Sequence, residues 1–237
     1  GYPDSVIEKI AINPTPEELE ARSDIIPVYL ELRGLKQINI NGTIFTVGGK
    51  FDMVADGQLY DNKSTSAWSW MFGTRDDDHK EQGSLYRWIH PDKITSDTIN
   101  INYIFTDWSK SQARMNKDYP QKRVESKSIA LMSTVETENF VRRKLSLLLE
   151  YWDKPEEEIP ECTDEELWRS APKYKYYADA TKTDGRSTRN FDTLAEANAF
   201  MASKGGVGVV KTIPGEVKRC GYCEAFDTCK QKDQYQQ

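Results

Sequence analysis

The sequence lacks the features of several protein classes. Its 237 residues include only four cysteines, too few for a secreted scaffold held together by disulfides. No apolar run approaches the ~20 residues of a membrane span, and no charged stub followed by an apolar stretch opens the chain, so the sequence indicates neither a membrane protein nor a signal peptide. With 38% apolar and 30% charged residues, the composition is typical of a globular protein. We expect a cytosolic protein with no membrane partner.

Composition predicts two folded parts joined by an acidic linker. Residues 153–166 hold eight carboxylates, one lysine and two prolines, which is typical of a solvated linker. We predict a core over residues 1–152, a linker over 153–172 and a small α/β extension over 173–237. The opening residues supply neither a start methionine nor a helix cap, and this predicts that the chain is part of a longer polypeptide.

The net charge of −6 is unevenly distributed along the chain. Residues 108–128 carry six basic and two acidic side chains, a local charge of +4. Trp108 and Tyr119 lie among them, and such a mixture suits phosphate contact together with base stacking. A solvated loop between two strands is the alternative. The basic side chains that we predict to contact DNA are Lys117, Lys122 and Arg123.

Two turn signals predict β-hairpins in the first half of the chain. Asn41-Gly42 separates two strand-like segments, and Asn-Gly accepts the positive φ angles of a two-residue turn. The second of these strands is expected to continue to Val54 and to return after the turn at Asp56-Gly57. This second hairpin would bring Asp52 near Asp61.

Other elements follow from caps and from hydrophobic periodicity. Thr15 is expected to cap a helix that Pro27 ends, and Ser133 with Glu136 forms a capping box. The order of helices and strands indicates an α/β fold. The other predicted elements are helices over residues 77–89, 133–152 and 193–203, and strands over 99–105, 126–132, 173–181 and 207–212.

Asp52, Asp61 and Lys63 combine the side chains that metal-dependent phosphodiester hydrolysis needs. Two aspartates can give Mg²⁺ hard oxygen ligands, while substrate phosphate and water complete its shell. Lys63 lies two residues after Asp61, so both side chains lie on one face of a strand, where the lysine can stabilise developing negative charge. An ordinary Asp and Lys pair on a solvated strand is the alternative.

Three ordered motifs resemble the RecB-type branch of the PD-(D/E)XK nuclease superfamily. Gly49-Lys50-Phe51-Asp52 matches its G-x-x-D, Asp61-Asn62-Lys63 matches D-x-K, and Gln82 with Tyr86 matches Q-x-x-x-Y. The resemblance looks closest to exonuclease-like proteins of bacteriophages. It implies a restriction-endonuclease-like core, which is a mixed sheet flanked by helices. It also implies a Mg²⁺- or Mn²⁺-dependent DNA exonuclease that acts with phage replication or recombination proteins or in DNA breakdown.

The resemblance implies roles for individual residues. The carboxylates of Asp52 and Asp61 and the carbonyl of Asn62 would bind the metal, and Lys63 would be the catalytic lysine. Gln82 and the tyrosine one helical turn later would contact DNA near the site. Two hypotheses from other classes stay open: a nuclease-fold DNA-binding module without catalysis, and a metal-ribbon adaptor for protein partners.

The sequence departs from this family in its histidines. Such enzymes usually contribute a histidine, often with a glutamate, from a helix upstream of the first strand, whereas His79 and His90 both lie downstream. We expect His79 to fringe or cap its helix and His90 to lie on the surface before a proline. Either the missing helix precedes Gly1, or another residue, such as Glu31, replaces it.

Three cysteines near the C-terminus predict a metal site. Cys220, Cys223 and Cys229 are spaced C-x₂-C-x₅-C, which supplies three of the four ligands of a tetrahedral ion; inert thiols are the alternative. The spacing resembles the C-terminal half of the iron–sulfur motif of RecB-type nucleases. Cys162, or a cysteine before Gly1, would be the fourth ligand. Zn²⁺ and a [4Fe–4S] cluster both accept four cysteines.

Three tyrosines and two lysines alternate near residue 175. Tyr174, Tyr176 and Tyr177 stand beside Lys173 and Lys175. Because aromatic residues favour strands, we expect the tyrosines to pack a small sheet rather than to contact nucleic acid.

Overall fold

A computed structural model describes residues 3–72 and 75–235 of the chain, which is a mixed α/β protein. The backbone divides into two units, Gly1–Glu150 and Tyr151–Gln237. Within the described residues, no helix is both long and apolar enough to cross a membrane.

The first unit is built on a mixed six-stranded sheet flanked by helices. Its elements are α1 (Asp4–Ile7), β1 (Ile10–Ile12), α2 (Pro16–Ala21), β2 (Ile26–Leu30), β3 (Arg33–Ile40), β4 (Thr43–Lys50), β5 (Met53–Ala55), β6 (Gln58–Thr65), α3 (Ala67–Phe72), α4 (Asp76–Ile89), β7 (Thr98–Phe105), α5 (Lys110–Met115), β8 (Val124–Ala130) and α6 (Thr134–Tyr151). The strand order is β1-β2-β5-β6-β7-β8, while β3 and β4 form a separate two-stranded sheet. In the large sheet β1/β2 and β6/β7 are parallel, and the other pairs are antiparallel.

Both predicted hairpins form. Asn41 and Gly42 have φ angles of 51° and 93° between β3 and β4, and Asp56 and Gly57 have 47° and 78° between β5 and β6. The expected continuous strand up to Val54 is wrong, because β4 ends at Lys50 and the chain bends before β5. The bend moves the chain from the small sheet into the large one.

The core of the first unit lies between the large sheet and α4. Phe51, Leu59 and Phe105 are fully buried there. Gly83 lets α4 approach the sheet, because a Cβ at this position would lie 2.7 Å from the Leu131 side chain and 3.1 Å from that of Ile99. A larger residue at position 83 would therefore push α4 away from β7.

The predicted caps form, but the expected end of the first helix is wrong. Thr15 accepts a hydrogen bond from the Glu18 backbone N–H, and Ser133 accepts one from Glu136. The helix after Thr15 ends at Ala21, and Pro27 lies inside β2 instead. The strands β1 and β2 are short and carry no clear alternation, so the sequence did not predict them.

The second unit contains a three-stranded antiparallel sheet covered on one face by a helix. Its elements are β9 (Lys173–Tyr177), β10 (Arg189–Phe191), α7 (Leu194–Ser203) and β11 (Val209–Ile213), with the strand order β10-β9-β11. Phe200 of α7 packs against Tyr176 and Phe191, with ring centroids 5.2 and 5.3 Å apart. Tyr177 is also buried, so the prediction that the aromatics pack a small sheet is confirmed for these tyrosines.

Candidate active site

Asp61 and Lys63 form the centre of the candidate site. Both lie on β6, where alternation directs their side chains to the face that α4 covers. Asp61 is 1% exposed, and its Oδ2 lies 2.7 Å from the Lys63 ammonium. The Lys63 side chain is one-third exposed. A buried carboxylate is thus compensated by a cation that still reaches solvent.

The carboxylate of Asp61 is incompletely satisfied. Its Oδ1 accepts a long hydrogen bond of 3.5 Å from the Gln82 side chain. Although the Lys63 ammonium is close to Oδ2, no hydrogen bond is directed at this buried oxygen from any described residue. The contact with Lys63 is an ion pair that offsets the burial of this oxygen, and Oδ2 keeps a lone pair that a metal cation could use.

Asp52 lies at the bend between β4 and β5, next to the strand that carries Asp61. Its Oδ2 accepts a hydrogen bond of 2.9 Å from the Asn62 backbone N–H. The Asn62 side chain points to the opposite face of the sheet, where it accepts a hydrogen bond from Asn102. Asp52 and Asp61 are therefore near each other, as the second hairpin predicts.

The two carboxylates fit a Mg²⁺ or Mn²⁺ ion better than they fit an ion enclosed by protein ligands. Across residues 3–72 and 75–235, no three His, Cys, Asp or Glu side chains are grouped in a way that could hold a metal ion. Mg²⁺ commonly binds through one or two carboxylates and keeps several waters and substrate oxygens. The Asp61 carboxylate can supply one such ligand, and Asp52, which accepts a hydrogen bond from the Asn62 backbone N–H, is the candidate for a second.

Gln82 and Tyr86 are placed side by side on α4. The Gln82 amide donates a hydrogen bond of 2.8 Å to the Tyr86 hydroxyl, while the same amide points to Asp61. The Tyr86 ring packs edge-on against Phe51, with centroids 6.5 Å apart. The pair is half-buried and adjoins the carboxylate, so it can orient a substrate near Asp61.

A cleft beside Lys63 adds groups that the sequence did not single out. Arg75 and Lys127 line it with His79, and Lys127 forms an ion pair of 2.5 Å with Asp76. Lys127 is in register with Ile101, which is in register with Asp61, so all three share one face. Alternation along β8 was the sequence signal that would have found Lys127.

Both histidines are buried, so His90 is not the expected surface residue, and His79 does not cap α4, whose N-cap is Arg75. His79 is 4% exposed and His90 is 7% exposed. His79 lies on the side of α4 that faces the sheet, with its ring 6.1 Å from that of Tyr103. Burial lowers the pKa of His79, and the positive charge of Lys63 lowers it further. Both effects favour the neutral form of the imidazole beside the candidate site.

The backbone of Glu31 contacts the backbone of Asp52. It has a φ of 53° between β2 and β3, and its N–H donates to the Asp52 carbonyl at 2.9 Å. Its carboxylate pairs with Lys50 at the surface, which raises the pKa of that lysine. The Glu31 carboxylate is thus engaged by Lys50, whose charge also interacts with Asp52.

The basic stretch leaves its cations in solvent and places its aromatics in the core. Lys117, Lys122 and Arg123 are exposed. Tyr119 is only 8% exposed and belongs to the core, and the Trp108 indole N–H donates to the Pro120 carbonyl at 2.8 Å. The expectation that Tyr119 is available for base stacking is therefore wrong, because it stabilises the loop from inside.

The four cysteines all lie in the second unit as free thiols. Cys162 is exposed, and the other three, Cys220, Cys223 and Cys229, are half-buried. Burial raises the pKa of the Cys162 thiol, and the charges of Glu166 and of the other three thiols raise it further. The thiols are within electrostatic reach of one another, although the part of the chain that the structure describes contains no metal-holding group of three. The donor set suits Zn²⁺ or an iron–sulfur cluster.

Comparisons with known proteins give structural matches only. No family model matches the chain, and no curated protein matches it. Among solved structures, one described as the crystal structure of SSO0001 is similar, with 16% identity and a TM-score of 0.37. The match covers 58% of this chain and 55% of that one, so the chain spans about half the length of this neighbour.

Proposed function

We propose that this protein is a Mg²⁺- or Mn²⁺-dependent deoxyribonuclease, an exonuclease with a PD-(D/E)XK core. The observation that carries the proposal is the buried Asp61 carboxylate, with the partly solvated Lys63 ammonium 2.7 Å away on the same face of β6. Further support comes from Asp52, tied to the Asn62 backbone at 2.9 Å. A role in phage DNA replication, recombination or DNA breakdown rests on the resemblance of the three motifs alone.

Each residue has a role that its position can perform. Asp61, Asp52 and the Asn62 carbonyl would hold the metal ion, which supplies Lewis-acid polarisation of the phosphate and a water of lowered pKa. Lys63 carries a partly solvated positive charge next to the carboxylate, where it can stabilise negative charge that develops on a phosphate oxygen. Gln82 and its hydrogen-bonded tyrosine orient the DNA strand beside Asp61.

The exposed cations in the connection between β7 and β8 would add contacts to DNA. Lys117, Lys122 and Arg123 belong to a stretch of local charge +4 in a chain of net charge −6. Such a local excess attracts phosphate, although the protein as a whole is acidic. We propose that these three side chains contact the backbone of the substrate.

We also propose that the four cysteines bind a [4Fe–4S] cluster or Zn²⁺. The C-x₂-C-x₅-C spacing of Cys220, Cys223 and Cys229 supports this assignment, and Cys162 is close enough to interact electrostatically with all three. Their bonds to a metal would stabilise the end of the chain, where few apolar residues are buried.

A second candidate function is DNA binding without cleavage. The absence of a three-ligand metal group among the described residues favours it. The two candidates differ in what Asp61 does, since a binding module needs no metal at this position.

Cleavage of end-labelled DNA with Mg²⁺ distinguishes the two functions. We expect the wild-type chain to shorten the labelled DNA progressively. The Asp61→Asn variant should bind DNA but not cleave it. Asp97→Asn is a matched control, because this aspartate is 95% exposed. Calorimetry with Mg²⁺ or Mn²⁺ should show weaker binding by Asp61→Asn only. Undiminished metal affinity in that variant would remove Asp61 as a ligand, and an intact chain that binds but never cleaves would support the second candidate.

A further inference from the structure

One face of the small sheet in the second unit carries an unusual row of lysines. In the register of the sheet, Lys175 of β9 lies directly opposite Lys211 of β11 and also opposite Asn190 of β10. Lys173 lies two residues from Lys175 and therefore on the same face. We call these four residues the lysine row.

The lysine row lies on the face that α7 does not cover. Tyr176 is in register with Arg189 and Val210, and its ring packs on Phe200 of α7. Because side chains alternate along a strand, the residues before and after Tyr176 point the other way. Asn190, Lys173 and Lys211 are exposed, and Lys175 is half-buried.

Two like charges placed opposite each other destabilise an antiparallel sheet. Lys173 pairs with Asp192 at 2.6 Å, but Lys175 and Lys211 have no ion pair with any residue that the structure describes. Acidic side chains are available elsewhere in the chain, whose net charge is −6. The sheet therefore keeps a repulsion that contributes nothing to its own folding.

The charge around the lysine row has the same sign. Residues 173–219 contain nine basic and five acidic side chains, a local charge of +4. Strands lie ~4.8 Å apart and residues of one face ~7 Å apart along a strand, so flexible lysines in this row can reach neighbouring phosphates. The Asn190 amide adds neutral hydrogen-bond donors.

We propose that the lysine row binds the phosphate backbone of a DNA strand, as a contact surface separate from Asp61 and the basic stretch. An acidic protein segment is the competing occupant. DNA fits better because its phosphates form a regular anionic series, which Lys175 and Lys211, ~5 Å apart on neighbouring strands, can contact together. The surface binds without sequence readout, because lysine acts as a point charge on phosphate. The proposal concerns binding alone and requires no catalytic step.

The test measures binding of the full chain to a fluorescent single-stranded oligonucleotide in EDTA, where no metal-dependent cleavage occurs. The variant Lys175→Thr with Lys211→Thr should weaken binding roughly 10- to 30-fold at about 0.1 M salt, and should reduce the slope of log K against log salt by about 1.4. Its melting temperature should equal or exceed that of the wild type, since the repulsion is gone and threonine favours strands.

A matched variant removes the same charge elsewhere in the unit. Lys182→Thr with Lys204→Thr changes two exposed lysines outside the row and should leave the salt slope nearly unchanged. Equal losses in both double variants would overturn the proposal, as would an unchanged slope in the first. Competition by a polyglutamate peptide that binds more tightly than the oligonucleotide would assign the row to an acidic protein partner instead. Because binding is measured in EDTA, the outcome does not depend on whether the protein cleaves DNA.

Discussion

The Asp52 carboxylate accepts a hydrogen bond from the Asn62 backbone at 2.9 Å. This bond joins the bend after β4 to the strand that carries Asp61 and Lys63, so Asp52 has a structural role besides its proposed metal-binding role. The two roles can be separated by substitution, because an amide keeps an acceptor oxygen whereas a methyl group does not.

Asp52→Ala should lower the free energy of unfolding by about 1–3 kcal/mol, since a backbone donor loses a charged acceptor. Asp52→Asn should cost less and still abolish metal-dependent cleavage. Urea denaturation and a cleavage assay of both variants check this. Equal stability of the two variants would show that the bond to Asn62 contributes little.

Lys63→Met should reduce the cleavage rate by roughly 10²- to 10³-fold, the effect typical of removing one group that stabilises charge in the transition state. Metal affinity should be kept or increased, because the cation that neutralises Asp61 is gone. Lys93→Met, which alters another partly buried lysine paired with an aspartate, serves as the control. A Lys63→Met enzyme of normal rate would contradict the catalytic assignment.

Neutralising Lys117, Lys122 and Arg123 together should weaken DNA binding and flatten its salt dependence by about 0.7–0.9 log units per lost phosphate contact. Anisotropy titrations over a range of salt concentrations measure the slope. The exposed cations Lys9, Arg143 and Lys144 form a matched control set. If both triple variants have the wild-type slope, the stretch is a solvated loop.

Cysteine-to-serine changes at positions 162, 220, 223 and 229 should lower metal content and melting temperature together. Anaerobically purified protein should be brown if it binds iron–sulfur, and colourless with stoichiometric zinc if it binds Zn²⁺. Absorbance and metal analysis distinguish the two. In the serine variants, activity should fall only as far as the fold is destabilised. Metal-free protein of full stability would show that these residues are ordinary thiols.

Stability should decrease in mildly acidic solution because of His90. Burial lowers its pKa below the ordinary value of 6.5, and its Nε2 has no hydrogen-bond partner among the described residues. The unfolded chain then binds the proton more readily, so stability is complete above pH 6.5 and is lost as pH falls toward the folded pKa. His90→Leu should reduce the fall in melting temperature that the wild type shows as the pH decreases below 6.5. An unchanged pH profile would indicate that the imidazole reaches solvent.

Local signals predicted much of the fold and the residues of the candidate site. Turn glycines and capping boxes are encoded within a few residues, so the hairpin at Asp56-Gly57 and the start of α6 could be predicted directly. The packing of side chains against elements distant in sequence could not be predicted in this way. Whether His79 faces solvent or Tyr103, and whether Tyr119 stacks on a base or fills the core, depends on which elements pack against them. The strand β10 has only three residues, which is too short for an alternating pattern to be recognised in the sequence.

The two-residue turn at Asp56-Gly57 determines which side of the sheet carries the chemistry. Side chains alternate along β6, so a slip of one residue between β5 and β6 would turn Asp61 and Lys63 away from α4 and bring Asn62 to face it. A single inserted residue in this turn would thus exchange an anionic, lysine-paired surface for an amide surface without altering any residue of the site. The length of one turn is, in this sense, as much a determinant of the proposed activity as the aspartates themselves.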